Sequence, residues 1–351
     1  MSRDTLSAVL RHVRLRGALF YHVEGTQRWV SEAPSASAIA GMIMPGVEHV
    51  MAYHVVTHGG CWATLVGAPA VALNTGDVVL FPRGDAHVMS SEPGLRGTLD
   101  LRPYAMPHPE QLPFFASRQG ESLTMARLDR DAGRHGATLV CGFLGCDAHP
   151  FNPLLASLPA LLHVPAGSGS HDDWIAHFIR FALDESLRKR PGGEALLERL
   201  SETMFVEVVR RYLESLPAGQ ANWLAGLQDR HVGRALGLLH ECPAEPWTID
   251  RLAARTGLSR SALHERFHRF TGHAPMHYLA KWRMQVAAGL LRQSSASIAS
   301  IALEVGYESE AAFSRAFRRE TRLPPATWRR HQSRLALRDD AERRESVSAL
   351  E

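Results

Sequence analysis

The sequence predicts an α+β chain: an N-terminal β-barrel or jelly roll, then a helical hairpin, then an all-α domain holding two helix-turn-helix units. Three observations carry this. Residues 18–84 break into short apolar runs punctuated by Gly, Pro and Asn-Thr-Gly, the pattern of antiparallel strands. The last third writes one pattern twice: Ala253-x3-Gly257-x5-Leu263-x3-Phe267 closing at Pro275, then Ala302-x3-Gly306-x6-Phe313-x3-Phe317 closing at Pro325. Charge is also divided. Trp247 to Arg334 holds 15 Arg and Lys against 6 Asp and Glu, out of 39 and 36 in the chain, which leaves an acidic remainder of 24 against 30.

At 351 residues the chain exceeds one ordinary domain, and 45% hydrophobic residues allow each part a core. Residues 3–16 place apolar and basic positions at helical spacing, a short lead-in helix. The strands ALFYHVE, RWVSEA, HVMAYHVVTHGG, CWATLVG, PAVALNTG and DVVLFPRG follow. After a Pro-rich crossing from Arg102 to Pro113, further strands are expected around Ser122 to Leu128 and Ala137 to Phe143. Phe151 to Val164, with Pro153 and Pro159, reads as short helical turns. Gly167 to Ser170 is a linker signal. Beyond it, Trp174, Phe178 and Phe181, then Leu197, Leu200, Met204, Val208 and Tyr212, recur at helical spacing on two helices parted by Pro191-Gly-Gly. Such a stripe packs within its own chain or against a second subunit. The expected boundaries are 1–165 for the barrel, 170–216 for the hairpin, 223–335 for the all-α domain and 336–351 for a charged tail.

Each copy of the repeat supplies a short helix with a small Ala at a packing position. Gly257 or Gly306 then takes positive φ to end that helix. Ser259 in the first copy and Glu308-Ser309 in the second start the next helix, whose core positions are Leu263 and Phe267 or Phe313 and Phe317. Asp229 to Glu241 is read as the first helix of this domain. Between the copies, Met276 to Leu291 is an unbroken helical pattern of ~24 Å. A helix of that length can hold two recognition helices about one DNA turn apart, roughly 34 Å.

The stretches WTIDRLAARTGLSRSALHERFHRFTGHAP and SIASIALEVGYESEAAFSRAFRRETRLPPATWRR resemble the two helix-turn-helix units of the AraC/XylS family of bacterial transcription regulators. The resemblance implies a sequence-specific DNA-binding regulator with double-stranded promoter DNA as ligand, a homodimer formed through the hairpin stripe, and RNA polymerase as a further partner. It places Ser261, His264 and Glu265 on the first reading face and Glu310, Ala311, Ser314 and Arg315 on the second. Arg260, Arg269, Arg318 and Arg319 flank these faces as phosphate contacts. Arg322 departs from the family, which often has Gly at that helix end.

Gly76-Asp77-Val78-Val79-Leu80-Phe81-Pro82-Arg83-Gly84-Asp85-Ala86-His87 resembles the second cupin motif. The first motif is degraded: His54 can take its first histidine position, but Val56 stands at the second and Gly60 or Cys61 at the glutamate. The three-histidine, one-glutamate site of cupin enzymes is therefore missing. Cupin matching supplies His54 and His87, expected inside the barrel on adjacent strands, and strand placement permits Cys61 and Cys141 beside them. Two His and two Cys suit tetrahedral zinc, so this set is the candidate metal site, with a thiol switch at Cys61 or Cys141 as the alternative. A small molecule, metal or redox signal at the barrel would then control DNA binding. The rival class is a cupin-type metalloenzyme or a DNA-repair protein fused to the same DNA-binding domain.

The charged N-terminus lacks the apolar core of a signal peptide, and the apolar run from Cys61 to Leu73 is broken by Gly67 and Pro69. No membrane partner is expected, and the cytoplasm is the expected compartment. Cys61, Cys141, Cys146 and Cys242 show no disulfide spacing. Effector, operator and the choice of activation or repression stay open.

Overall fold

Alternation along the strands sorts the N-terminal half into two faces. In β2 (His49–His58), Met51, Tyr53 and Val55 join one apolar cluster while Val50, Ala52 and Val56 join another. β5 (Val78–Phe81) and β9 (Gly136–Cys146) split the same way: Val78, Leu80, Val140 and Leu144 fall on the first side, Val79, Phe81, Leu139 and Phe143 on the second. The second face is the interior of a curled sheet; the first is covered by helices. The computed structural model describes residues 4–105, 114–125, 136–167, 174–188, 190–217 and 219–334. The expected crossing over 106–113, the strand end beyond 125, the linker at 168–170 and the tail 336–351 lie outside the described residues.

The sheet runs β10 (Leu162–Val164), β5, β2, β9, β1 (Arg16–Ala33), β6 (His87–Ser90), β3 (Gly60–Leu65) and β4 (Val71–Asn74). β7 (Phe114–Gly120) adds parallel to β1, and β8 (Ser122–Met125) pairs with β7. Among the described residues the path ends at β10 and β4, so it is a curled antiparallel half-barrel rather than a closed ring. The two strands expected at ALFYHVE and RWVSEA are one, β1. Its first half pairs with β9 and its second with β6, so ladder bonds on both sides carry it through the Gly25-Thr26-Gln27 step, where Gln27 takes φ 56°. The turn chemistry produced a bend, not a break. A short α3 (Arg102–Ala105) precedes β7; of the turns expected over Phe151 to Val164, one is α4 (Pro153–Ser157), but the segment closes as β10, because Leu162 and Val164 pair with β5. A helix, α2 (Ala36–Ile43), was not foreseen; its Ile39 is buried in the interior cluster.

The lead-in helix is α1 (Thr5–His12), capped by the Asp4 carboxylate accepting from Ser7 N. The hairpin is α5 (Trp174–Arg188) and α6 (Gly193–Ser215), turning at Gly192 with φ 81°. α6 lies across the sheet's outer face. Tyr53 and Ser201 share a hydroxyl hydrogen bond of 2.9 Å, and a Cβ at Gly17 would stand 2.4 Å from Glu198 O, so only glycine permits this approach. Leu197, Met204 and Val208 are 2%, 0% and 0% exposed in the single chain. These stripe positions are thus core, covered by the chain's own sheet, whereas Leu200 and Tyr212 are half-buried and Phe181 is exposed.

The C-terminal domain begins with α7 (Trp223–Gln228) and α8 (Arg230–Glu241). The first unit is α9 (Ile249–Thr256) and α10 (Arg260–Thr271); the second is α12 (Ile298–Glu304) and α13 (Glu310–Thr321), followed by a helical segment over 325–334. Hydroxyls of Thr248, Ser259, Ser297 and Ser309 each cap a helix, so α9 and α12 start about a turn before the expected Leu252 and Ile301. Arg322 caps α13 at φ 66°, where Gly272 in the first copy has φ 70°. An Arg there costs about 1 kcal/mol relative to Gly. Between the units, α11 (Pro275–Gln293) belongs to both cores. Tyr278, Leu279 and Trp282 cluster with Leu263 and Phe267, whereas Met284, Ala287, Ala288 and Leu291 cluster with Phe313, Phe317 and Trp328.

Candidate functional site

The reading faces follow from those two cores. With Leu263 and Phe267 turned inward, helical spacing leaves Arg260, Ser261, His264, Glu265 and Arg269 exposed; likewise Phe313 and Phe317 leave Glu310, Ala311, Arg315, Arg318 and Arg319 exposed and Ser314 half-buried. Some of these are already engaged. Arg260 pairs with Asp250 at 3.2 Å, Arg269 lies 4.9 Å over the Phe270 ring, and Arg319 reaches Glu320 at 3.4 Å. Arg315 and Arg318 have no ion-pair partner among the described residues. Arg266, on the same helix, is tied up: it forks onto Asp229, the N-cap of α8, locking α10 to that helix.

Helix α1 and the segment that follows β9 also dock on the DNA-binding domain, a contact the sequence did not disclose. Asp147, 1% exposed and one residue past the end of β9, accepts from Arg14 Nε at 3.0 Å and Nη2 at 2.8 Å, and pairs with Arg292 of α11. The fully buried Gln285 accepts from Phe151 N at 3.0 Å and donates to His12 O at 3.1 Å. Phe151 stands edge-on to Tyr278 at 5.2 Å, and His12 edge-on to Trp282 at 5.1 Å. Sensor and DNA-binding parts therefore meet on α11, the helix shared by both units.

Inside the half-barrel, His54, His87 and Cys141 come together. His54 and Cys141 are ladder partners on β2 and β9; His87 arrives from β6, which is not adjacent to β2 but faces it across the curl, and stacks on Phe81 at 3.7 Å. His87 Nδ1 meets Asp85 O at 3.1 Å, and since a carbonyl only accepts, that nitrogen carries the proton. The direction of the chain follows. His54 Nε2 donates to His87 Nε2 at 2.8 Å, and Cys141 donates to His54 Nδ1 at 2.9 Å. Burial keeps both rings neutral, His54 well below its ordinary value and His87 down to about 4, and it pushes the Cys141 thiol up.

This differs from the expected tetrahedral set. His54 sits between its two partners and offers each a different nitrogen, so the three do not converge on one point. Cys61 is buried in the same cluster with its thiol pushed up to about 12, chiefly by burial. Among the described residues no group of three His, Cys, Asp or Glu side chains could hold a metal ion. The four residues do not fit a zinc centre.

Beside the chain lies a cavity of about 80 Å³ lined by Tyr21, Trp29, Leu139, Cys141, Tyr104 and Arg118 among others, joined through Tyr21, Ala33, His54, Tyr104 and Cys141 to a second lobe of about 40 Å³. Tyr104 and Arg118 were not anticipated. Arg118 lies on β7, whose FFASRQG run alternates too weakly to read as a strand.

A family model described as Cupin matches residues 4–214, and one described as Helix-turn-helix domain matches residues 252–331. A putative AraC-like transcription regulator of Streptomyces antibioticus is 35% identical over 282 residues, 78% of this chain and 91% of that one. The chain belongs to the AraC-like transcription regulators. The HTH-type transcriptional regulator AlkR of Acinetobacter baylyi is 27% identical over 327 residues, 93% of this chain and 99% of that one. A solved AraC-type transcriptional regulator from Chromobacterium violaceum is 31% identical, covering 31% of this chain and 96% of that chain with a TM-score of 0.29. As a member of the family, the chain is a DNA-binding transcription regulator with a cupin domain in front of its helix-turn-helix domain. No helix among the described residues is long and apolar enough to cross a membrane.

Proposed function

We propose that the half-barrel cavity receives the signal and that the docking contact on α11 carries it to the DNA-reading units. One observation supports this above the rest: β9 bears Cys141 on the cavity wall and leads directly into Asp147, which holds Arg292 of α11. In this reading the protein works in the cytoplasm and α10 and α13 enter successive major grooves of promoter DNA. Arg315 forks onto a guanine edge, and Arg318 neutralises phosphate.

Arg315→Ala should cost about 1–3 kcal/mol at the cognate site and relax preference at one base pair, while Arg318→Ala weakens all sequences alike. Gel-shift titrations against a randomised operator check this. Uniform weakening by Arg315→Ala would reassign it to phosphate.

The homodimer remains part of the proposal, through the exposed side of the hairpin, since Leu197, Met204 and Val208 of the stripe are core whereas Phe181 of it is exposed. Among the described residues, Phe181, Leu187 and Leu196 are the large apolar side chains the hairpin leaves exposed, at 44%, 46% and 40%. Leu196→Glu should sediment as a folded monomer that binds DNA weakly, having lost the gain from tethering two units. An intact dimer would move the interface elsewhere. RNA polymerase is the proposed partner of the promoter-bound protein; transcription from that promoter with purified polymerase, unchanged by added regulator, would remove it.

A further inference from the structure

The cavity has one end that is internally satisfied and one that is not. At the Cys141 end every polar hydrogen already has an acceptor, running from thiol to His54 to His87 to the Asp85 carbonyl. At the other end stands Arg118. Its Nη1 donates to two backbone carbonyls, Glu121 O at 3.0 Å and Val30 O at 3.2 Å, which use both hydrogens of that nitrogen and pin the guanidinium in place. The Nε and Nη2 edge, the pair that forks side-on onto a carboxylate, has no partner among the described residues. Nearby acidic groups are engaged elsewhere: Glu32 with Arg96, Asp100 with Arg102, and Glu121 with Thr98 N. The Tyr104 hydroxyl lines the same cavity and also has no partner among the described residues.

A half-buried guanidinium with no carboxylate on its fork is costly; Asp100 and Glu121 act on its charge without hydrogen-bonding to the Nε and Nη2 edge, which favours an anion there. Burial pulls Arg118 below its ordinary value and pushes Tyr104 up to about 12, so the hydroxyl keeps its proton and can donate. The wall carries Val23, Trp29, Met89 and Leu139 as its apolar part, beside Ser31, Thr98 and the Glu32 and Asp100 carboxylates, which Arg96 and Arg102 already neutralise. A free phosphate or sulfate would leave that apolar part bare, whereas an acid with a hydrocarbon tail covers it.

We propose that this cavity binds a short-chain organic acid, its carboxylate held by the Nε and Nη2 edge of Arg118 and the Tyr104 hydroxyl and its hydrocarbon part by Trp29, Val23 and Leu139. The assignment rests on the reading that the half-barrel receives the signal, and it names the class of that signal. Loss of the salt-bridged, hydroxyl-assisted contact should cost at least about tenfold in affinity.

The test is calorimetric titration of the full chain with hexanoate and, as the uncharged isostere, hexanamide. Hexanoate should bind and hexanamide should be at least about tenfold weaker. Arg118→Gln should remove most hexanoate binding and Tyr104→Phe should weaken it several-fold; Arg118→Lys, which keeps the charge but not the fork, gives the same reading if the glutamine variant fails to fold. Equal binding of acid and amide, no binding of hexanoate, or unchanged binding in a folded Arg118 variant overturns the site. Operator affinity measured with and without hexanoate separates the two levels. A shift that disappears in Arg118→Gln supports both, whereas binding with no shift retains the site and removes its signalling role.

Discussion

Asp147→Ala is expected to destabilise the docked protein by about 3–5 kcal/mol, the cost of leaving a buried charge without its partner. The Arg292 side chain is only 6% exposed, and its Nε and Nη1 have no other partner among the described residues, so Asp147 is what compensates it. Arg14, at 38% exposed, can turn to water and loses little. Urea unfolding followed by tryptophan fluorescence reads the effect, with limited proteolysis near α1 as a second probe of undocking. Adding Arg292→Leu should recover most of the loss by removing the orphaned charge. A loss under about 1 kcal/mol would mean that the two parts are held by apolar packing alone.

Stability should also fall as the pH drops below about 6.5, because His22 and His240 are buried neutral. Burial takes His22 to about 4; burial first, then the nearby His12, takes His240 to about 3. The unfolded chain takes up protons from its ordinary value of 6.5 downward, whereas the folded chain refuses them until pH 4 or 3. The stability these rings contribute is therefore complete above 6.5 and lost towards the folded values, by up to roughly 1.4 kcal/mol per pH unit for each ring. His240 accepts from Tyr278 OH, which itself accepts from Trp223 Nε1. His240→Gln keeps an acceptor and abolishes the titration, so denaturant melts at several pH values should show a shallower slope. An unchanged slope would place the acid sensitivity elsewhere.

What the sequence revealed was local. Caps at Ser259 and Ser309, the Gly turns and the Leu263, Phe267, Phe313 and Phe317 spacing depend on neighbours within a few positions, and all are found as read. The strand carrying His87 after Gly84 was legible for the same reason. Curvature was not: β6 meets β2 only because the sheet folds over, which is why His54 and His87 face each other while Cys61 stays apart from their chain. Docking was equally hidden. Gln285 and Arg292 are polar positions on a helix whose apolar spacing was already accounted for, and their burial depends on Phe151 and Asp147, more than a hundred residues away. The hairpin stripe stayed open between core and interface for a related reason, since periodicity gives an apolar face without saying what covers it.

The sharing of α11 between two cores has a consequence for the DNA itself. Tyr278 and Trp282 key one reading unit to this helix, and Ala288 and Leu291 key the other, so neither unit can slide or rotate without opening its own interior. The distance between the two sequences read is thus a fixed property of the protein, a ruler that cannot stretch. An operator whose halves are offset by a base pair has to bend or twist to fit. Flexible pyrimidine–purine steps between the halves should therefore matter to affinity even where no side chain touches them.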